Sequence, residues 1–282
     1  MTAAEALAAA AQSGLTPIAA RALIAHITRR DPAHLLAHLE DVLSSEQADQ
    51  ARDRIHRASA GEPLAYLIGY QEFCGLRFAV SPAVLIPRPE TELLVEATLK
   101  WVAQSGHPAP RILDVGTGSG AIAITLAVRI PHAHITAADI SPDALAIARA
   151  NAESHGVSDR IIFLQSDLLS ETGNSSPLPE GVILANLPYI PTPSLPALDV
   201  SHHEPVLALD GGPDGLDQIR RLIDQAPAHL APGGLLALEI QFDQADQVSA
   251  LLRSVFPTAT LTVIKDLAGL DRVMCAHLPE AR

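Results

Sequence analysis

The run Asp114-Val-Gly116-Thr-Gly118-Ser-Gly120-Ala121 constrains the fold of this chain more than any other stretch. An apolar, branched segment over 111–115 leads into it, and an apolar helical segment beginning near Ser119 leads away, the pattern of a strand turning tightly into a helix. The alternation then repeats. Strands are predicted over 134–139, 161–166, 182–185 and 234–241, and helices from about Thr91, over 142–155 with Ser141 as N-cap, and over 215–230. Alternating strands and helices imply a parallel sheet covered on both faces, with ligands at the carboxyl ends of its strands. Hydrophobic residues, at 48% of the composition, supply the core such a sheet requires. The fold class is therefore α/β, with a Rossmann-like sheet.

At 282 residues the chain exceeds one ordinary domain, and its first part follows a different pattern. Thr16-Pro17 and Asp31-Pro32 each place an N-cap before a proline at the first helical position, and Ser44 caps a further segment that stops at Gly61. Leu23, Ile24 and Ile27 share one helical face, as do Leu35, Leu36 and Leu39, so a small helical bundle is expected. Aromatic and branched residues around Gly75 then give the pattern of a hairpin. The expected organisation is a helical domain over 1–69, a hairpin linker over 70–90 and the sheet domain over 91–282.

A formal charge of −13 argues against the broad basic footprint that neutralises phosphates, so no nucleic-acid partner is expected. No apolar run approaches the ~20 residues that cross a bilayer, so no membrane partner is expected either. Residues 1–14 carry Glu5 and no basic residue, unlike a secretory signal, and read as an ordinary helix. Cys74 and Cys275 form neither a disulfide framework nor a zinc pattern, which suits a reducing cytoplasm. His202 and His203 are adjacent with no carboxylate at ligand spacing, and no metal is assigned. The expected state is a cytoplasmic monomer.

Within the glycine run, Gly116, Thr117, Gly118, Ser119 and Gly120 offer bare backbone to a ligand. Gly116, Gly118 and Ala121 also satisfy the dinucleotide fingerprint, so a nicotinamide cofactor and a merely structural turn both stay open on this loop alone. Asp114 weighs between them: a carboxylate beside the loop would repel a pyrophosphate and attract the cationic amino group of a methionine moiety, favouring S-adenosylmethionine. Asp139 ends the next strand, where a carboxylate accepts hydrogen bonds from ribose hydroxyls, a feature common to both cofactors. Asp167 follows the third strand, and Leu168 is expected near an adenine edge.

Asn186-Leu187-Pro188-Tyr189 follows the fourth strand and points at the same crevice. A planar amide nitrogen is a poor nucleophile, because its lone pair is delocalised into the carbonyl. Two acceptors on its hydrogens favour rehybridisation as a methyl arrives, and the Asn186 side-chain oxygen and Leu187 carbonyl are candidates for them. Pro188 stiffens the turn, and Tyr189 offers a ring to pack on a flat amide.

These segments occur with Glu62-Pro63, Tyr66 and Gly69, Glu72-Phe73, Leu85-Ile-Pro-Arg-Pro-Glu-Thr-Glu92, Glu204-Pro205, Leu209-Asp-Gly-Gly-Pro-Asp-Gly-Leu216 and Lys265-Asp-Leu-Ala-Gly-Leu-Asp-Arg272. Together they resemble the HemK/PrmC protein-(glutamine-N(5)) methyltransferases over nearly the whole chain. The resemblance implies a helical N-terminal substrate-recognition domain, a hairpin linker and a seven-stranded sheet whose last strand is antiparallel. It also implies the substrate, the glutamine of the Gly-Gly-Gln motif in peptide chain release factors, and a role for the Asn-Pro-Pro-Tyr motif in gripping that glutamine. Leu187 departs from the motif's first proline but keeps the backbone carbonyl. Gln241 stands where many relatives have glycine. Arg88 and Glu90 are either neighbours of the reacting groups or an ion-pair clamp. A ribosomal-protein glutamine, an adenine amine and a noncatalytic binding scaffold are the competing readings.

Overall fold

The structure is a computed structural model that describes residues 1–172 and 180–281. It divides into two compact units, Met1–Tyr70 and Gln71–Arg282.

In the first unit each helix begins where the sequence offers a cap. Thr2 and Glu5 form a capping box at α1 (Ala3–Gln12), and Thr16 caps α2 (Pro17–Thr28) ahead of its proline. Asp31 caps α3 (Pro32–Ala37), and Ser44 with Gln47 boxes α4 (Ser45–Ser59). A short α5 (Leu64–Ile68) ends on Gly69. Leu23, Ile24 and Ile27 are buried with Ala6, Ala10, Ala51 and Ile55, the small alanines letting the helices approach closely. The second expected face is only partly formed. Leu35 is buried, whereas Leu36 and Leu39 are exposed, because α3 stops at Ala37 and cannot carry a full stripe.

In the second unit a hairpin runs from β1 (Tyr70–Phe73, whose first residue closes the first unit) through Cys74-Gly75 to β2 (Leu76–Ala79). The chain then forms α6 (Glu92–Ser105), β3 (Arg111–Val115), α7 (Ala121–Arg129), β4 (His134–Asp139), α8 (Pro142–Ser154), β5 (Ile161–Gln165) and β6 (Glu180–Ala185). There follow α9 (Asp217–Gln225), β7 (Leu230–Glu239), α10 (Ala245–Val255), β8 (Thr260–Lys265) and β9 (Asp271–His277).

Among the described residues the large sheet has seven strands in the order β5-β4-β3-β6-β7-β9-β8. Its first five strands are parallel, and β9 runs antiparallel to both neighbours. The order reverses between β3, the first strand of the sheet in the chain, and β6, so the crevice at the carboxyl ends of these two strands is where such a sheet takes a ligand. Burial on both faces explains the continuous apolar strands. In β6, Val182 and Leu184 join one cluster with Ile112, Ile124 and Leu235, while Ile183 and Ala185 join the other with Leu113, Leu222 and Leu236.

Candidate active site

The carboxyl ends of β3, β4, β5 and β6 open onto one cavity of about 740 Å³. Its wall combines the glycine loop, Asp139 to Ser141, Ser166 to Leu168 and Asn186 to Pro188, with Arg88 and the Pro205 to Ala208 turn completing it.

Two contacts explain why the loop needs glycine. Gly116 has φ +73°, and a Cβ there would stand 3.2 Å from Leu187 Cδ2, so the loop lies directly on the Asn-Leu-Pro segment. Gly120 has φ +81°, and a Cβ would meet Ile124 Cδ1 at 2.7 Å and Ala148 Cβ at 3.1 Å, so only glycine lets α7 and α8 pack here. The backbone is also braced from outside. Gly116 and Thr117 amides donate to the Ala138 carbonyl at 2.8 and 2.9 Å, and Gly118 donates to Asp139 Oδ2 at 2.8 Å. Asn151 Nδ2 donates to the Ser119 carbonyl at 2.8 Å.

The structure places the predicted carboxylates differently from one another. Asp139 lines the cavity, and its Oδ1 also accepts from the Ser141 amide at 2.9 Å; burial raises its pKa. Asp114 is fully buried and is not part of the cavity wall. Its Oδ2 accepts from Thr117 Oγ1 at 2.7 Å and from the Ala123 amide at 3.2 Å, which turns the side chain under the loop. Burial pushes its pKa up to about 7, against the pull of those hydrogen bonds, and Oδ1 has no hydrogen-bond partner among the described residues. Asp167 lines the cavity and pairs with Arg221 at 2.7 Å, while Leu168 takes a positive φ of 54° beside it.

Asn186, Leu187 and Pro188 lie on the cavity wall. Asn186 Nδ2 donates to Thr91 Oγ1 at 3.0 Å. Tyr189 is not brought to the wall. Its hydroxyl donates to Glu239 Oε1 at 3.2 Å, and burial beside that carboxylate raises its pKa. The backbone explains the turn. Ile190 exchanges hydrogen bonds with Leu209 and Gly211, and Gln244 Nε2 donates to the Tyr189 carbonyl at 3.1 Å, drawing the chain away from the cavity.

Several contributors carry no obvious chemical signal in the sequence, Glu204 having stood out there only as part of the Glu204-Pro205 motif. Glu204 is buried, accepts from the Ile86 amide at 2.9 Å and pairs with Arg88, so it fastens the Pro-Arg-Pro run to the Pro205 turn. Glu90 is exposed. Asn151 and Gln244 look like ordinary helix-associated polar residues, and only their contacts reveal their roles. Glu239 had a readable signal: it is an acid at the end of an otherwise apolar strand, Leu235-Leu-Ala-Leu-Glu239.

Residues 1–69 match the family described as PrmC N-terminal domain, and residues 112–203 match a methyltransferase domain family. A release factor glutamine methyltransferase of Cereibacter sphaeroides is 42% identical over 100% of both chains. The chain belongs to the release factor glutamine methyltransferase family. Another relative with that name, from Moorella thermoacetica, is 47% identical across 87% of this chain and 86% of its own. The fold recurs in solved structures of lower identity. The hMettl16 catalytic domain, solved with the MAT2A 3'UTR hairpin 6, has a TM-score of 0.59 at 15% identity, covering 82% of this chain and 83% of its own. The ribosomal protein L11 methylase of Lactobacillus delbrueckii subsp. bulgaricus has a TM-score of 0.50 at 19% identity, covering 71% and 84%.

Enzymes of this family and fold take their methyl group from S-adenosylmethionine, and the residues here fit it. The cavity volume suits a nucleoside joined to an amino acid. Asp139 offers a carboxylate at its wall, and the unpartnered Asp114 Oδ1 lies beneath the loop. Family membership decides for this donor. The charge of Asp114 alone does not, because its carboxyl is turned away from the cavity.

Proposed function

We propose that this chain methylates the side-chain amide nitrogen of the glutamine in the Gly-Gly-Gln motif of class I peptide chain release factors, supporting translation termination. The observation that carries this reading is the full-length similarity to relatives of that name, joined to an Asn-Leu-Pro segment at the cavity wall. When bound, S-adenosylmethionine supplies a methyl group on a positively charged sulfur.

The chain's own residues would act by holding and orienting. Asp139 would accept from the ribose hydroxyls, the amides of the Gly116 to Gly120 loop would face the amino-acid part, and Asp167 and Leu168 would border the base. Asp114, beneath the loop, would bias it electrostatically toward a cation. Asn186 Oδ1 and the Leu187 carbonyl would accept from the two hydrogens of the glutamine amide, turning its nitrogen toward the donor, while Pro188 limits the freedom of the turn. Leucine at 187 retains the acceptor that the family's proline supplies. Tyr189 supports this grip from behind through Glu239. Nitrogen that has gained a methyl is strongly acidic, so its proton passes to water without a dedicated base.

The helical domain over residues 1–69 would recognise the body of the release factor, since the second compact unit already contains the cavity. A substrate that works at the ribosome places the enzyme in the cytoplasm, acting there as a monomer. Incubation with labelled S-adenosylmethionine and an intact release factor, followed by tandem mass spectrometry, tests the reading. One labelled methyl on the glutamine of Gly-Gly-Gln is expected, with higher kcat/KM for the intact factor than for a short peptide. Label on another residue, or none on the factor, would contradict it.

A further inference from the structure

On the edge of the sheet where the cavity opens, three large apolar side chains stand in solvent outside the cavity. Strands β6 and β7 run parallel, and β9 runs antiparallel to β7 with Val273 opposite Glu239, so the turn between β8 and β9 leaves the sheet at the carboxyl ends of β6 and β7. The Ile240 amide donates to the Arg272 carbonyl at 2.9 Å, and Phe242 and Leu270 each lie two residues beyond that pair. Leu267 in the turn is fully exposed, and Phe242 and Leu270 are 51% and 42% exposed. Two of the three belong to the Lys265 to Arg272 run, which takes no part in the cavity wall.

The turn that carries Leu267 is internally braced. Asp266 accepts from the Ala268 and Leu270 amides at 2.9 and 3.0 Å and from Arg272 Nη2 at 2.9 Å. Its own amide donates to the Leu270 carbonyl and its carbonyl accepts from the Gly269 amide, both at 2.9 Å, while Lys265 pairs with Asp271 across the base. These polar groups satisfy one another and leave Leu267 in water. A leucine so exposed adds nothing to the fold, whereas an apolar tip on a preorganised turn loses little conformational freedom when a partner covers it.

Neighbouring strands stand about 4.8 Å apart, so β9 begins roughly 10 Å, and β8 ends roughly 14 Å, from the end of β6 that carries Asn186 to the cavity wall. An extended chain covers about 3.3 Å per residue, so a segment three or four residues from a glutamine held at Asn186 reaches the turn. Two leucines and a phenylalanine offer on the order of a few hundred Å², well short of the roughly 800 Å² per partner that a stable self-association buries. Exposed Asp243 and a formal charge of −13 oppose an anionic lipid surface. We propose that the β8–β9 turn, with Leu267 at its tip and Leu270 and Phe242 at its base, is a docking surface for the release factor, and that it fits an apolar hollow beside the loop that carries the target glutamine. The surface presupposes the release factor as substrate and gives it a point of attachment outside the cavity.

Leu267→Ser removes the apolar tip from a fully exposed position, so the fold is kept, and Leu267→Met retains an apolar side chain there. With intact release factor and saturating S-adenosylmethionine, Leu267→Ser is expected to raise KM for the factor by about 10- to 100-fold, the effect of one leucine no longer buried, with kcat and cofactor Kd within about twofold of the parent. Leu267→Met should stay within about threefold of the parent KM. A KM within about twofold for Leu267→Ser, or an equal loss of cofactor affinity, overturns the proposal. Sedimentation in which the parent dimerises and Leu267→Ser does not would assign the turn to a second copy of the chain and overturn it as well. The substrate reading fails separately, if the parent enzyme itself leaves the intact factor unmethylated.

Discussion

Asp139 uses one carboxylate twice: it holds the glycine loop through Gly118 and the start of α8 through Ser141, and it faces the cavity where a ribose is expected. Asp139→Ala should therefore weaken S-adenosylmethionine binding by roughly 10- to 100-fold, about 1.5 to 3 kcal/mol, through lost charge-assisted hydrogen bonds and a loosened loop. Calorimetric titration of the folded variant checks this, and unchanged affinity would remove Asp139 from the cofactor site. Asp139 was legible because it ends a strand next to the glycine loop. Thr91 was not legible as a partner of Asn186, because residues so far apart in the chain meet only once the segment before α6 is packed against the end of β6. Tyr189 was legible as part of a motif, but its direction was not. A tyrosine can turn either end of its side chain inward, and only Glu239, Gln244 and the Ile190 pairing decide which.

At the scale of elements, the strands and caps of the sheet domain were readable to within a few residues, since both sheet faces are buried and each strand is an apolar run. The expected helix over 215–230 contracts to Asp217–Gln225 because Pro227 supplies no backbone donor and the Gly211 to Gly215 turn delays the start. The strand expected over 234–241 begins earlier, at Leu230, where it pairs with Glu180. What sequence periodicity cannot show is how elements are tied together. Asn151, buried on α8, exchanges two hydrogen bonds with Ala79 at the end of β2, at 2.8 and 3.0 Å, and donates a third to Ser119. Asn151→Ala should destabilise the protein by about 1 to 3 kcal/mol, since three backbone groups lose their bonds, two of them on exposed Ala79 and one, the Ser119 carbonyl, buried. It should also weaken cofactor binding, through the freed Ser119. Urea denaturation paired with calorimetric titration measures both effects. A loss of stability below about 0.5 kcal/mol would show that the backbone finds other partners.

For the molecule as a whole, two carboxyls sit where burial disfavours their charge. Asp114 and Glu239 are both pushed up to about 7 by burial, from ordinary values of 3.8 and 4.5. Between those values and pH 7 the unfolded chain releases protons that the folded chain keeps, so stability falls as pH rises through this window and levels off above it. Glu239→Gln should consequently raise stability at pH 8 by an amount on the order of 3 kcal/mol, and the gain should vanish near pH 4.5. Denaturation at the two pH values decides this, and a gain independent of pH would mean that Glu239 titrates normally. The catalytic proposal centres on Asn186, whose amide oxygen is assigned to hold the substrate amide. The most direct measurement is the single-turnover rate of Asn186→Ala with labelled S-adenosylmethionine and intact release factor. The rate should fall by about 10²- to 10³-fold, roughly 2.7 to 4 kcal/mol, while cofactor affinity falls much less. A folded Asn186→Ala enzyme that transfers the methyl group at the parent rate would contradict the account.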